Sequence, residues 1–138
     1  MNPHFIGTLE LIPRPDGRDY RLAHPFGYWS ELTGPVHVPR EFVTDLASVP
    51  QIFWNILPPF GKYQEAAVVH DYLYRTHLFS RYIADRVLLA GMKVRRVPGW
   101  QRFLIFWAVR LFGWGPWNNE VRRVNFIHHS GRHSFGRK

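Results

Sequence analysis

The stretch EAAVVHDYLYRTH (residues 65–77) decides the fold, and it is typical of a helix that begins near residue 62 and ends near residue 76. Its apolar run is interrupted by a histidine and an aspartate side by side, His70 and Asp71. A helix that only filled a core would not need this pair. The segment therefore predicts both a helix and a candidate functional site.

Helical patterns continue on both sides of this stretch. Three further helices are predicted, at residues 48–57, 81–94 and 99–112. Ser48 and Gln51 form a capping box at the start of the first, Ser80 can cap the second, and Gly113 can end the third. The helical part of the chain therefore extends over about residues 48–117.

The first 45 residues have a β pattern. The segment FIGTLELI (5–12) and the segment DYRLAHP (19–25) flank the turn signal RPDGR (14–18), which predicts an antiparallel hairpin. Further short strands are predicted in FGYWSEL (26–32) and PVHVPREFVT (35–44). The predicted fold is α+β: a small N-terminal antiparallel β-sheet followed by a three- to four-helix C-terminal bundle.

Length and charge bound the organisation of the chain. Its 138 residues suit one domain, with a β-rich part at 1–45, a helical part at 48–117 and a basic tail at 118–138. Residues 1–92 hold eight Lys/Arg and nine Asp/Glu, whereas residues 93–138 hold ten Lys/Arg and one Asp/Glu. This asymmetry predicts an anionic partner for the C-terminal third, or a solvated tail that keeps the protein soluble.

The chain has no cysteine, which excludes disulfides, thiolate zinc sites and cysteine nucleophiles. Its first residues, MNPHFIGTLELIPRPDG, lack the basic start and apolar run of a signal peptide. We therefore expect the protein in a host cytoplasm or inside an assembly such as a virion, and not secreted by a signal peptide.

The predicted helix at 99–112 is apolar nearly all round, with an apolar run shorter than the ~20 residues of a membrane span. Its tryptophans and flanking arginines also fit a helix that lies on an anionic membrane surface. The absence of a clearly polar face favours burial, partly against another subunit. Residues 100–138 are thus the expected surface for self-association or for partner proteins, and nucleic acid is the weaker alternative.

Helical spacing gives the candidate site its geometry. His70 shares a face with Tyr74, and Asp85 lies on the next predicted helix, where it could meet either of them. A carboxylate on one imidazole nitrogen fixes the tautomer, so that the other nitrogen can take a proton from water. Asp71 is a hard oxygen ligand suited to Ca²⁺ or Mg²⁺, and Asp45 could be a further ligand.

Each of these residues also has a structural explanation. His70 could be a half-buried histidine with satisfied hydrogen bonds. Asp71 could pair with Arg75 four residues on, and Asp85 with Arg81 or Arg86. Asp45, with Ser48, precedes a helix start, where oxygen side chains cap free N–H groups. Spacing alone does not decide between the two interpretations.

Two resemblances to known protein families bear on these interpretations. The strings TDLASVP (44–50) and HDYLY (70–74), followed by ADRVLLAGM (84–92), resemble a family of uncharacterised phage and prophage proteins, a domain of unknown function. The string HDYLY with a later aspartate also resembles the active-site helices of the phospholipase A2 type. That second resemblance implies a base at His70, a calcium ligand at Asp71, a hydrogen-bonding tyrosine at Tyr74 and an orienting carboxylate at Asp85. The glycine-rich calcium loop and the disulfides of that family are absent from this chain.

Two functional hypotheses follow. The first is a phage-derived hydrolase-like protein, assisted by a divalent cation, that acts on an ester or amide bond of an envelope or membrane component. The second is a non-enzymatic virion protein, a tail or neck component, that uses its aromatic and basic C-terminal third as a contact surface.

Overall fold

In the residues that the structure describes, six short strands form two antiparallel sheets and three helices follow them, which confirms the predicted α+β fold. The computed structural model describes residues 1–15, 19–45 and 62–118. The strands are β1 (His4–Ile6), β2 (Leu11–Pro13), β3 (Tyr20–Leu22), β4 (Phe26–Ser30), β5 (Gly34–Val38) and β6 (Val43–Thr44). The helices are α1 (Gln64–Thr76), α2 (Arg81–Val94) and α3 (Gly99–Phe112).

The strands divide into two sheets, where the sequence predicted one. One sheet has the order β1-β4-β5 and the other has the order β2-β3-β6. The predicted strand 5–12 breaks at Gly7, whose φ of +85° is a backbone conformation that favours glycine. Its two halves therefore enter different sheets. The predicted hairpin is confirmed, because β2 pairs with β3 in a register that places Leu11 opposite Leu22.

Two of the three helices match their predicted bounds. The helix α2 begins after Ser80, whose hydroxyl accepts the backbone N–H of Ile83 at 3.2 Å, as the sequence predicted. The helix α3 ends at Gly113 with a right-handed φ of −72°, and not in the left-handed conformation common at such glycines. The helix α1 ends at His77, which adopts the left-handed conformation with φ 54°.

A close approach of α1 and α2 fixes the distance between them. A Cβ atom at Gly91 of α2 would lie 2.8 Å from the Cβ of Ala66 on α1 and 3.0 Å from the Cζ of Phe5 on β1. Such contacts are too short for a side chain, so only glycine fits at this crossing. The sheets close the core from the other side with buried residues such as Tyr28 and Val38.

The helix α3 differs from its prediction. Only Ile105, Ala108 and Val109 are buried among its residues. Trp100, Phe103, Trp107, Leu111 and Phe112 are exposed large hydrophobic residues. Full burial of this helix inside the chain was therefore a wrong expectation, because one narrow face meets the core while the opposite face is also apolar. Its burial against another subunit stays a prediction.

Several predictions lie outside the described residues: the helix at 48–57 with its Ser48 cap, part of the turn at 14–18, and the tail beyond residue 118. The division into a single domain stays a prediction. No helix in the described ranges has the length and hydropathy needed to cross a bilayer.

Candidate functional site

The facing sides of α1 and α2 bring His70, Tyr74 and Asp85 together. His70 and Tyr74 are one turn apart on α1, and Asp85 lies in the early part of α2. Only a few residues join the two helices, so they run antiparallel. All three residues are buried, and Asp85 has no exposed surface. The prediction that Asp85 meets His70 or Tyr74 is confirmed for both.

Three donors converge on the Asp85 carboxylate. Its Oδ1 accepts the hydroxyl of Tyr74 at 2.6 Å and lies 2.8 Å from Nε2 of His70. Its Oδ2 accepts a hydrogen bond from Nη1 of Arg110 at 2.8 Å. Burial alone would raise the pKa of Asp85, but the hydrogen bonds and charges of these neighbours, His70 first, hold it below its usual value. Asp85 is therefore a carboxylate, and it can only accept.

The charge on Asp85 determines the tautomer of His70. Because the carboxylate has no proton to give, Nε2 of His70 carries the hydrogen and donates it. In the neutral ring Nδ1 is then the basic nitrogen. Nδ1 is buried and has no hydrogen-bond partner among residues 1–15, 19–45 and 62–118. A buried nitrogen with an unused lone pair is uncommon in a structural histidine, because most buried polar atoms are paired.

Tyr74 lies between the Asp85 carboxylate and the end of α3. Burial, and then the hydrogen bond to Asp85, raise the pKa of Tyr74, so its hydroxyl stays protonated and donates. Trp117 packs edge-on against its ring with centroids 5.2 Å apart. A Cβ atom at Gly113 would lie 2.7 Å from the hydroxyl oxygen. The end of α3 thus comes directly against the site.

Asp71 makes its contacts separately from the three residues around Asp85. Its Oδ1 lies 3.2 Å from Nε of Arg75, and its Oδ2 accepts the backbone N–H of Asp45 at 3.2 Å. Burial first, and then the negative charge of Asp45, raise the pKa of Asp71 to about 6. Arg75 and a hydrogen bond from Thr44 partly oppose this shift. Asp71 and Asp45 therefore form a second, acidic pair at the end of β6.

Two carboxylates are a small donor set for a metal ion. Ca²⁺ prefers six to eight oxygens, whereas Mg²⁺ keeps several waters and takes one or two carboxylates. In the part of the chain that the structure describes, no group of three or more His, Cys, Asp or Glu side chains could hold a metal. The pair of Asp71 and Asp45 therefore fits a hydrated Mg²⁺ better than an enclosed Ca²⁺.

Two arginines have roles at this site that the sequence did not predict. The sequence offered Arg81 or Arg86 as partners of Asp85. The arginine that pairs with Asp85 is Arg110 of α3. Arg81 instead donates to the carbonyl oxygens of Val109 and Arg110, at 2.8 and 2.5 Å. The signal was present, because Arg110 interrupts the apolar run of α3. The predicted pair of Asp71 and Arg75 is found.

Comparison with known proteins gives a family but no activity. A family described as "Protein of unknown function (DUF1353)" matches residues 20–109. The chain is also 39% identical over 119 residues to the "Uncharacterized protein y4jT" of Sinorhizobium fredii (strain NBRC 101917 / NGR234), which covers 85% of this chain and 34% of that protein. The chain thus spans about a third of the length of this relative. No solved structure gives a significant match.

Proposed function

This chain belongs to the DUF1353 family of proteins of unknown function, and from its side chains we propose that it is a hydrolase with His70 as its general base. Asp85 orients His70, Tyr74 supports Asp85, and Asp71 with Asp45 binds a divalent cation. The proposed substrate is an ester or amide bond in an envelope or membrane component. The four roles at His70, Asp71, Tyr74 and Asp85 follow the resemblance to phospholipase A2-type helices.

One observation carries the proposal: the two nitrogens of His70 lie in different environments. Nε2 is held by the Asp85 carboxylate at 2.8 Å, whereas the buried Nδ1 has no partner among the described residues. A carboxylate behind an imidazole stabilises the imidazolium that forms when the ring accepts a proton. General base catalysis by histidine uses this pairing, and it also requires that water or substrate reach the buried Nδ1.

The proposed reaction is the hydrolysis of a carbonyl ester. Nδ1 of His70 takes a proton from water as the water oxygen bonds to the carbonyl carbon. The tetrahedral intermediate then collapses, the bond from carbon to the leaving oxygen breaks, and the proton returns from Nδ1 to that oxygen. The products are an acid and an alcohol, and His70 regains its starting state.

The acidic pair supports a role for a divalent cation. Burial first, and then repulsion from Asp45, raise the pKa of Asp71 to about 6, and a bound cation would remove the repulsion. When bound, Mg²⁺ or Ca²⁺ would stabilise the negative oxygen that develops on the carbonyl. Arg75 now occupies one oxygen of Asp71, so the cation would compete with this arginine.

We place the protein in a phage or prophage setting, in the host cytoplasm or in the assembled virion. The support for this setting is the resemblance of the strings TDLASVP and HDYLY to phage proteins. An enzyme in such a setting would meet envelope or membrane components during entry or lysis.

A second candidate is a non-enzymatic virion protein, a tail or neck component, with its contact surface in residues 100–138. The observation that favours it is charge neutralisation. Arg110 pairs with Asp85 at 2.8 Å and Arg75 with Asp71 at 3.2 Å, while His70 is only 2% exposed. Such a network can hold helices in register without any chemistry.

Hydrolysis assays with His70→Gln separate the two candidates. Phospholipid vesicles and peptidoglycan are the substrates, with Mg²⁺, Ca²⁺ or a chelator added. The amide nitrogen of glutamine can take the place of Nε2 and donate to Asp85, but glutamine cannot act as a base, so we expect turnover to fall about a hundredfold or more. His24→Ala is the matched control, since His24 is exposed and bonds only to Glu10 among the described residues.

The outcomes are distinct. Loss of turnover in His70→Gln alone, with unchanged circular dichroism, supports the hydrolase. Equal turnover in all three proteins, or none in the wild type on either substrate, contradicts it and favours the assembly protein.

A further inference from the structure

The outer face of α3 carries four large apolar side chains in one line. Trp100, Phe103, Trp107 and Leu111 are 53%, 64%, 47% and 60% exposed. Their spacing of three, four and four residues puts them on one side of the helix, opposite the buried Ile105. We call these four residues the α3 stripe.

Exposed apolar surface continues at the end of the helix. Phe112, the last residue of α3, and Trp114 just after it are 59% and 61% exposed. Phe103 and Trp107 are in edge contact with ring centroids 6.4 Å apart, so part of the stripe is ordered by its own packing. Contiguous apolar surface of this kind on a soluble domain usually marks a binding surface.

Charge around the α3 stripe has one sign. Residues 93–118 hold five Lys/Arg and no Asp/Glu. Arg95 pairs with Glu65 and Arg110 with Asp85. Lys93, Arg96 and Arg102 have no acidic partner among the described residues, and Lys93 and Arg96 are exposed.

The positive charge around the α3 stripe favours some binding partners over others. A second copy that packed through the same stripe would bring two cationic regions together, which opposes association. An anionic surface would be attracted instead. Tryptophan rings settle at the level of lipid headgroups, and arginines and lysines beside an apolar helix face bind anionic lipid.

We infer that the α3 stripe docks on an anionic lipid surface, with α3 parallel to the membrane plane and its flanking cations against the headgroups. The α3 stripe supplies apolar insertion, and the exposed Lys93 and Arg96 supply attraction. This docking does not depend on the proposed hydrolysis, and a protein without catalytic activity would bind in the same way.

Vesicle co-sedimentation with the full chain tests the inference. The probes are vesicles of phosphatidylcholine alone and vesicles with one part of phosphatidylglycerol to two of phosphatidylcholine. We expect binding to the anionic vesicles, weaker binding as salt rises, and little binding to the neutral vesicles. The stripe variant Phe103→Ser/Trp107→Ser should reduce partitioning roughly tenfold or more.

A matched control removes exposed apolar residues elsewhere. Leu32 and Leu78 are 55% and 58% exposed and lie outside α3. Leu32→Ser/Leu78→Ser should bind vesicles as the wild type does. Because all four substituted side chains are exposed, both variants should fold, and circular dichroism checks this.

The remaining outcomes overturn the inference. Absence of vesicle binding, equal binding to neutral and anionic vesicles, or equal loss in the control variant each contradicts it. Light scattering that shows a dimer in the wild type and a monomer in the stripe variant would assign the stripe to a second copy instead. A stripe that binds an acidic protein but no vesicle would assign it to a protein partner.

Discussion

The network around Asp85 gives a quantitative prediction for Asp85→Asn. This substitution keeps the shape of the side chain but removes a buried negative charge. Three donors lose a charged acceptor: Nε2 of His70 at 2.8 Å, the hydroxyl of Tyr74 at 2.6 Å and Nη1 of Arg110 at 2.8 Å. Breaking one side of a buried ion pair typically costs about 3–5 kcal/mol, which is a large part of the ~5–15 kcal/mol that stabilises a domain.

Urea unfolding followed by tryptophan fluorescence measures the cost. We expect Asp85→Asn to lower the free energy of unfolding by about 3 kcal/mol or more at pH 7, with an unchanged slope against urea. Tyr74→Phe removes one charged hydrogen bond and leaves the charge paired, so about 1.5–3 kcal/mol is expected. Asp19→Asn is the control, because its pair with Arg14 at 3.4 Å is partly exposed and should contribute under ~1 kcal/mol.

The pH dependence tests the same reasoning independently. The pKa of Asp85 is lowered in the folded protein, so the stability it contributes is present above the unfolded pKa of about 4. That stability is lost as the pH falls through the lower folded pKa. The difference between wild type and Asp85→Asn should therefore shrink at acidic pH. An Asp85→Asn protein within about 1 kcal/mol of the wild type at pH 7 would refute the reasoning.

Two further predictions concern Asp71 and Gly91. The folded pKa of Asp71 is raised to about 6, so the stability that Asp71 contributes is present below pH 4 and is lost as the pH rises through 6. In the presence of a chelator, Asp71→Asn should remove as much as ~3 kcal/mol of the fall in unfolding free energy between pH 4 and 8. An unchanged fall in urea unfolding would contradict this prediction. Gly91→Ala would place a Cβ 2.8 Å from that of Ala66 and should cost ~1–3 kcal/mol in thermal or urea unfolding, whereas Gly115→Ala, which meets no atom within 4 Å, should cost little.

Local signals predicted the helices better than the strands. The Ser80 cap and the short link to α2 are encoded within a few residues, so the helix bounds were accessible from sequence. The sheets depend on pairing between distant segments. One apolar run is divided at Gly7, and its two parts lie in different sheets. The positive φ at this glycine marks the division, and the apolar pattern of the sequence does not show it.

The site was partly predictable for the same reason. His70 and Tyr74 share a helix face by spacing, and Asp85 follows after a short link, so their meeting was expected. Arg110 comes from a third helix whose rotation the sequence did not define, because α3 is apolar nearly all round. The side of α3 that faces the core, and therefore the partner of Asp85, was set by tertiary packing alone.

Two arginines cross between α2 and α3 in opposite directions. Arg81 of α2 holds the last carbonyl groups of α3, and Arg110 of α3 holds Asp85 of α2. The two arginines tie the helices together in both directions, since a shift of either helix would break a hydrogen bond to an arginine of the other. A displacement of α3 would therefore move Asp85 through Arg110, and Asp85 would in turn move the imidazole of His70, which lies two hydrogen bonds from Arg110.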